Sequence, residues 1–271
     1  MKESLYAAFL RLPRFKGHGR LTPVIRDALF KRKPHRIIHG LYILLDPIEW
    51  GQADILRDRV AEPLTTKLFG ELLKPGATYI DVGAHIGYHT LIARYHVGPS
   101  GTVFAIDPQP YNCARILENW ACNKFTNLLV YVAAAGPNPA FISLHPPGRL
   151  DRSQLSLLRD ENNPDSSALA FRVPIIPLSQ VFSENSMGDV SLLKIDVEGF
   201  EEQVVEGLGS IISRVENIIL EILGTNSMER SRSLPVLEAL MRSGFNRWRT
   251  VDGLDWRPRD ELPENNLWVT R

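Results

Sequence analysis

The sequence predicts an α/β protein with a largely parallel sheet, and three observations carry the prediction. From Tyr79 onward, short apolar runs alternate with helical patterns, as parallel strands joined by crossover helices require. The first run, Tyr79-Ile80-Asp81-Val82, ends in a carboxylate and passes into the spaced glycines of Gly83-Ala84-His85-Ile86-Gly87. The next run, Thr102 to Ile106, is closed by a second acid, Asp107. Glycine permits turn conformations and close ligand approach that side chains forbid, and a helix starting at Tyr88 turns its first amides toward ligand oxygens. An acid at Asp107 can accept both hydroxyls of a ribose, so the two motifs read together as a nucleotide-binding turn.

S-adenosylmethionine and NAD both place a ribose at such an acid, and three details favour the methyl donor. The turn reads Gly-x-His-x-Gly and lacks the full Gly-x-Gly-x-x-Gly that brings a helix against a pyrophosphate. Asp81 sits where a carboxylate repels a diphosphate but welcomes the ammonium of a methionine moiety. The motif also begins well inside the chain, behind an N-terminal extension.

Taken in order, Leu5 to Leu12 has helical spacing ended by Pro13, and Pro23 to Phe30 suggests a second short helix, together a lid or cap. Arg36 to Asp46 reads as one or two strands interrupted at Gly40, and Ala61 to Leu73 as an amphipathic helix closed by Lys74-Pro75-Gly76. Strand 79–82, helix 87–97, strand 102–106, helix 110–122 and strand 128–132 make the first half of the sheet. Gly136 to Ala170, rich in Pro, Asn, Ser and Asp, is the least regular stretch, with a hairpin expected around Phe141 to Leu144 and a candidate substrate lid. The second half opens with Phe171 to Ile176 as a strand, then a short helical stretch from Leu178 to Phe182. Ser191 to Asp196 is a buried strand ending in an acid, and Val197-Glu198-Gly199-Phe200-Glu201 turns into a helix. Asn217 to Leu223 is a further strand carrying Glu221 near its end. Leu234 to Ser243 is helical, and Phe245 to Arg249 with Leu267 to Thr270 supplies a closing antiparallel pair.

A chain of 271 residues that is 44% hydrophobic can bury one sizeable core plus an appendage. The expected division is a basic cap over residues 1–58 and one catalytic domain over 59–271. Two cysteines, Cys113 and Cys122, fall in one expected helix at a spacing unlike zinc ligands, which suits a reducing cytoplasm. No apolar run reaches bilayer length, and Met1 to Leu12 is too short and too charged for a signal peptide. Net charge is zero, yet residues 1–40 carry ten Lys or Arg against Glu3 and Asp27. Such an arm can meet an anionic glycolipid surface, a phosphorylated acceptor or RNA, or be a solvated cap on an acidic body.

Four stretches together resemble the FkbM family of methyltransferases: Asp81-Val82-Gly83-Ala84-His85-Ile86-Gly87-Tyr88, Asp107-Pro108-x-Pro110-x-Asn112, Lys194-Ile195-Asp196-Val197-Glu198-Gly199-x-Glu201, and Glu221 on the following strand. The resemblance covers roughly residues 60–270, and the Lys-Ile-Asp-Val-Glu-Gly string is its most specific piece. It implies a class I, Rossmann-like methyltransferase fold: a seven-stranded, mostly parallel sheet with one antiparallel edge strand and helices on both faces. It further implies S-adenosylmethionine as donor, bound at the carboxyl ends of the first strands, and a hydroxyl of a sugar, glycolipid or glycosylated metabolite as acceptor. Where the family most often has Asn and Glu, this chain has His85 and Asp107, and no acid follows the strand 128–132. Backbone groups around Ala133 to Ala135 would then meet the adenine.

Residue by residue, the resemblance places Glu62, Asp81, Gly83, His85, Gly87, Tyr88 and Asp107 at the donor. Glu62 is otherwise a helix-start acid, and Tyr88 either closes over the donor or packs. Asp196 and Glu198 emerge where the ligand crevice of an open parallel sheet lies, with Glu221 at a similar height. Three such acids can hold acceptor hydroxyls, raise one another's pKa so that one acts as base, or bind a divalent cation. The structural alternative is that Asp196 orients backbone amides and that Glu198 and Glu201 are first-turn helix acids favoured by the dipole. Lys194, inside the buried strand, is placed to pair with one of the acids. A methyltransferase of the same fold acting on RNA or protein, and a binding protein that keeps the donor pocket without turnover, are the competing functions.

Overall fold

The computed structural model describes residues 33–46, 51–144, 171–222, 227–257, 263 and 266–271. In chain order the elements are β1 (His35–Arg36), β2 (Tyr42–Ile43), α1 (Gln52–Asp58), α2 (Pro63–Leu72), β3 (Thr78–Val82), α3 (Tyr88–Val97), β4 (Thr102–Asp107), α4 (Pro110–Cys122) and β5 (Leu128–Val132). There follow β6 (Ala134–Ala135), β7 (Ala140–Leu144), β8 (Phe171–Ile176), α5 (Leu178–Glu184), β9 (Leu192–Ile195), α6 (Glu201–Leu208), β10 (Asn217–Leu220), α7 (Ser227–Arg242), β11 (Arg247–Thr250) and β12 (Leu267–Thr270). The helices at Leu5 to Leu12 and Pro23 to Phe30 and the lid within 136–170 fall wholly or largely outside the described residues.

A seven-stranded sheet runs in the order β11-β12-β10-β9-β3-β4-β5. Strands β10, β9, β3, β4 and β5 are mutually parallel, and β12 is antiparallel to both β10 and β11. The antiparallel strand expected at the edge is therefore one place in, inserted between β10 and β11. The order reverses about β3, because the chain first builds outward through β4 and β5 and then crosses back to β9. That reversal opens a crevice at the carboxyl ends of β3 and β9, where parallel sheets receive ligands.

Both faces are buried, which is why the central strands read as near-continuous apolar runs. Ile80, Phe104, Leu193 and Ile218 pack on one face against Leu178, Val204 and Leu237. Tyr79, Val103, Leu192 and Ile219 pack on the other against Phe69 and Leu91. The second core also takes in Ile37, Leu41, Ile43 and Ile55, so the described part of the N-terminal region shares apolar packing with the sheet.

Three expectations need correction. Phe171–Ile176 does form a strand, but β8 belongs to a separate three-stranded sheet, between β6 and β7, and not to the main one. It lies close to β6 and α6: an added Cβ on Gly136 would approach Ile175 to 2.7 Å, and one on Gly207 of α6 would approach the Gly136 carbonyl. Ala140–Leu144 pairs antiparallel with β8 across residues 145–170, instead of forming a local hairpin. The strand expected over Asn217 to Leu223 stops at Leu220, so Glu221 stands just past its end, with its N–H still donating to the Ile195 carbonyl at 3.0 Å. Two smaller differences concern helices: α1 precedes α2 as a separate helix, and α7 starts upstream of Leu234 at Ser227. Among the described residues no helix is long and apolar enough to cross a membrane.

Candidate active site

The glycine turn is built by opposing demands on its backbone. Gly83, His85 and Gly87 all have positive φ, at 82°, 51° and 82°. For His85 that conformation carries a cost of order 1 kcal/mol, and it persists because its surroundings fix it. The N–H groups of Gly83 and Ala84 both donate to the Ile106 carbonyl, at 2.9 and 3.2 Å. The His85 N–H donates to Asp107 Oδ2 at 2.8 Å. Gly83 has a second reason to lack a side chain: a Cβ there would lie 1.7 Å from the Asp196 carbonyl oxygen. The close approach presses the glycine turn against the end of β9.

Asp107 is buried and already engaged. Its Oδ1 accepts from the Gln109 N–H at 2.8 Å and from Asn112 Nδ2 at 3.1 Å, while Oδ2 accepts from His85. A carboxylate has about four acceptor directions, so one remains, on Oδ2, and a single ribose hydroxyl can take it without displacing protein donors. Burial pushes the carboxyl up to about 7 against the pull of those amides. Gln109 and Asn112 thus orient the acid, a part in which Gln109 carried no sequence signal.

Asp81 lies beneath the crevice and is 1% exposed. Its Oδ2 accepts from the Thr90 hydroxyl at 2.6 Å, and the register sets it beside Lys194 on one side and Ala105 on the other. Burial raises its pKa, and Lys194 opposes the rise. Tyr88 is buried, with its hydroxyl 3.3 Å from that of Thr66, so in this arrangement it packs against α2. Glu62, at φ 39° just before α2, accepts from Asn266 Nδ2 at 2.9 Å and stands 4.0 Å from His89 Nε2. Burial between Phe69 and Tyr88 keeps His89 neutral by lowering its pKa. Gly87 starts α3 close to Ile116 of α4, 3.0 Å from where its Cβ would be.

On the other side of the crevice three acids meet. Asp196, Glu198 and Glu221 each offer a carboxylate oxygen within 4.8 Å of the others. The Asp196 N–H extends the parallel ladder to the Val82 carbonyl at 3.0 Å, which puts its side chain on the face shared with Lys194. Lys194, 3% exposed at its side chain, donates to Asp196 Oδ2. Burial alone would raise Asp196, but the Lys194 ammonium overrides it and holds the carboxylate well below its usual range. Glu221 moves the other way, pushed up to about 10 by burial and by the neighbouring Asp196 charge, and so keeps its proton at neutral pH. Glu198, at the solvent edge of the cluster and at φ 55°, has its pKa raised by partial desolvation and by the Asp196 and Glu201 charges. Glu201 supports the turn from below, accepting from the N–H groups of Gly199 at 3.0 Å and Val197 at 3.3 Å.

The arrangement offers an ionised acid, a protonated acid and an exposed acid of raised pKa around one point beside the glycine turn. A divalent cation seeks six or more oxygens. A cation held among these three acids would compete with the Lys194 ammonium for Asp196 and would take the place of the Glu221 proton.

A family model described as the methyltransferase FkbM domain matches residues 81–250, which span the turn, Asp107 and all three acids. The chain is 25% identical over 196 residues to Methyltransferase 1 of Beauveria bassiana, covering 67% of this chain and 76% of that protein. It is 24% identical over 196 residues to the 31-O-demethyl-FK506 methyltransferase FkbM of Streptomyces tacrolimicus, covering 64% and 75% respectively. Among solved structures, methyltransferase FkbM from Methylobacillus flagellatus KT aligns at 16% identity with a TM-score of 0.46, over 96% of this chain and 72% of that one.

Proposed function

This chain belongs to the methyltransferase FkbM family, and we propose that, as an S-adenosylmethionine-dependent methyltransferase, it methylates a hydroxyl of a sugar, glycolipid or glycosylated metabolite. The observation that carries the proposal is the meeting of Asp196, Glu198 and Glu221 at the lip of the glycine turn. Gly83, His85, Gly87 and Asp107 are the proposed donor residues in direct reach, with Asp81, Tyr88 and Glu62 shaping that pocket from behind and from the α2 side. The catalytic unit is residues 59–271, capped by 1–58.

S-adenosylmethionine, when bound, supplies an electrophilic methyl carbon. The acceptor oxygen forms the new bond to that carbon as the carbon–sulfur bond breaks and its electron pair stays with sulfur. Asp196, kept ionised by Lys194, accepts a hydrogen bond from the acceptor and orients it. Glu198, exposed and with a raised pKa, takes the hydroxyl proton. Glu221 holds its proton and steadies Asp196. Alignment of reactants of this kind is worth about 7–11 kcal/mol, whereas a general base adds a factor of about 100 to 10,000, so the rigid turn matters more than any single acid. The basic arm, with ten cations against two acids in residues 1–40, suits an anionic glycolipid face. The free thiols Cys113 and Cys122 suit a reducing compartment such as the cytoplasm.

Labelled donor incubated with sugar nucleotides, glycolipids and polyketide glycosides tests the proposal. Label should pass to a hydroxyl, and Glu198→Gln should lower kcat by about 100-fold or more with donor affinity unchanged. Transfer to amines or to RNA in preference to every hydroxyl acceptor would overturn it.

A further inference from the structure

We infer that Asn119 is a positioning residue of the donor turn and ties that turn to the N-terminal segment docked on α4. Asn119 is wholly buried in α4, and neither hydrogen bond of its carboxamide goes to its own helix. Nδ2 donates to the Ile86 carbonyl at 2.9 Å, between His85 and Gly87, both of which have positive φ. Oδ1 accepts from the Leu44 N–H at 2.7 Å. One helical turn later, Asn123 repeats the pattern: Oδ1 accepts from the Tyr42 N–H at 2.8 Å, and Nδ2 donates to the Tyr42 carbonyl at 2.7 Å. Asn123 Nδ2 also donates to the Asn119 carbonyl at 2.7 Å. Two asparagines spaced i, i+4 therefore hold β2 along α4, and the first of them reaches on into the glycine turn.

The turn needs this anchor. Rotation of the peptide between Ile86 and Gly87 would turn the Gly87 N–H away from the Ala84 carbonyl, to which it donates at 2.8 Å, and so open the turn that holds the His85 N–H on Asp107. The Asn119 carboxamide fixes the Ile86 carbonyl, and the Leu44 N–H fixes the orientation of the carboxamide. Donor bound at the turn and the segment docked on α4 thus bias one side chain, and such coupling acts equally in both directions. The inference rests on the reading that the glycine turn holds the donor.

Amide hydrogen exchange on the full wild-type chain, with and without saturating S-adenosylhomocysteine, tests both. Protection of the His85 and Gly87 amides together with at least threefold slower exchange at Leu44 is the expected result. Protected turn amides with Leu44 exchange unchanged would overturn the role of Asn119 and leave the donor site standing. Unprotected turn amides would overturn the donor reading itself. In a folded Asn119→Asp variant, whose side chain can still accept from Leu44 but repels the Ile86 carbonyl, the donor dissociation constant should rise roughly tenfold. A wild-type constant there would contradict the inference, since a side chain that only stabilised α4 would lower the melting temperature and leave donor affinity alone.

Discussion

Replacing Gly83 with alanine probes the contact on which the site is assembled. The backbone there has φ of 82°, and the added Cβ would meet the Asp196 carbonyl oxygen at 1.7 Å and its carbon at 2.7 Å. An ordinary carbon–oxygen approach is about 3.3 Å, so the turn and the end of β9 must part by about 1.6 Å, and both partners are backbone that no rotamer change can move. Left-handed strain adds about 1–2 kcal/mol and overpacking about 1–3 kcal/mol, giving about 2–5 kcal/mol in all. For a chain of this size that corresponds to a fall in Tm of roughly 5–15 °C. The same displacement moves Asp196 away from the donor turn, and about 1 Å of misplacement costs roughly 100-fold in rate. Two controls separate the causes. Gly98, at φ 67° with nothing within 4 Å of an added Cβ, reports backbone strain alone, and Gly188, also open but without positive φ, reports neither. Thermal unfolding of the three alanine variants should rank Gly83 well below Gly98, and Gly98 below Gly188. A Gly83→Ala protein that melts within about 2 °C of Gly98→Ala would refute the close-contact reasoning.

Further expectations concern the titrating groups. The Asp107 carboxyl, raised to about 7, contributes stability that is full below the ordinary carboxylate pKa and is lost as pH rises through 7. Donor binding runs the other way, because a ribose hydroxyl needs the ionised form. Titration calorimetry should therefore show affinity about tenfold weaker at pH 6 than at pH 8, and pH-independent affinity would contradict it. Lys194→Met leaves Asp196 without its cation and should cost about 2–4 kcal/mol, less than a fully buried pair because Asp196 is 23% exposed. Adding Asp196→Asn should recover most of that loss in denaturant unfolding, and strict additivity would argue against the pair. Because Glu221 already carries its proton, Glu221→Gln should leave Tm nearly unchanged and turnover within about threefold, whereas Asp196→Asn should lose most activity. Equal damage from the two substitutions would show Glu221 acting as a charged group.

What the sequence made legible is what depends on neighbours along the chain. The strand that ends at Asp81, the glycines after it and the acid closing the next strand are local patterns, and β3, α3 and β4 lie where those patterns put them. That Lys194 would pair with one of the nearby acids was legible for the same reason, since alternate residues of a strand share a face, and the structure makes that acid Asp196. Contacts between distant segments were not. Nothing in Phe171–Ile176 states which sheet it joins, because an apolar run fits the main sheet and a flanking one equally well. Gly83 reads as a turn glycine, and its contact with the Asp196 carbonyl emerges only when β3 and β9 lie side by side. Asn119 and Asn123 look like polar residues on a helix surface, yet their partners Leu44 and Tyr42 lie 75 and 81 residues earlier. The roles of Tyr88 and Asp81 turned on burial, which local pattern does not report.

A crystal structure of the full chain with S-adenosylhomocysteine would decide whether the glycine turn and Asp107 grip the donor across from Asp196 and Glu198. A ribose hydroxyl on Asp107 Oδ2 and the sulfur turned toward those two acids are expected. Ligand density elsewhere on the protein, or a sulfur turned away from Asp196 and Glu198, would contradict it.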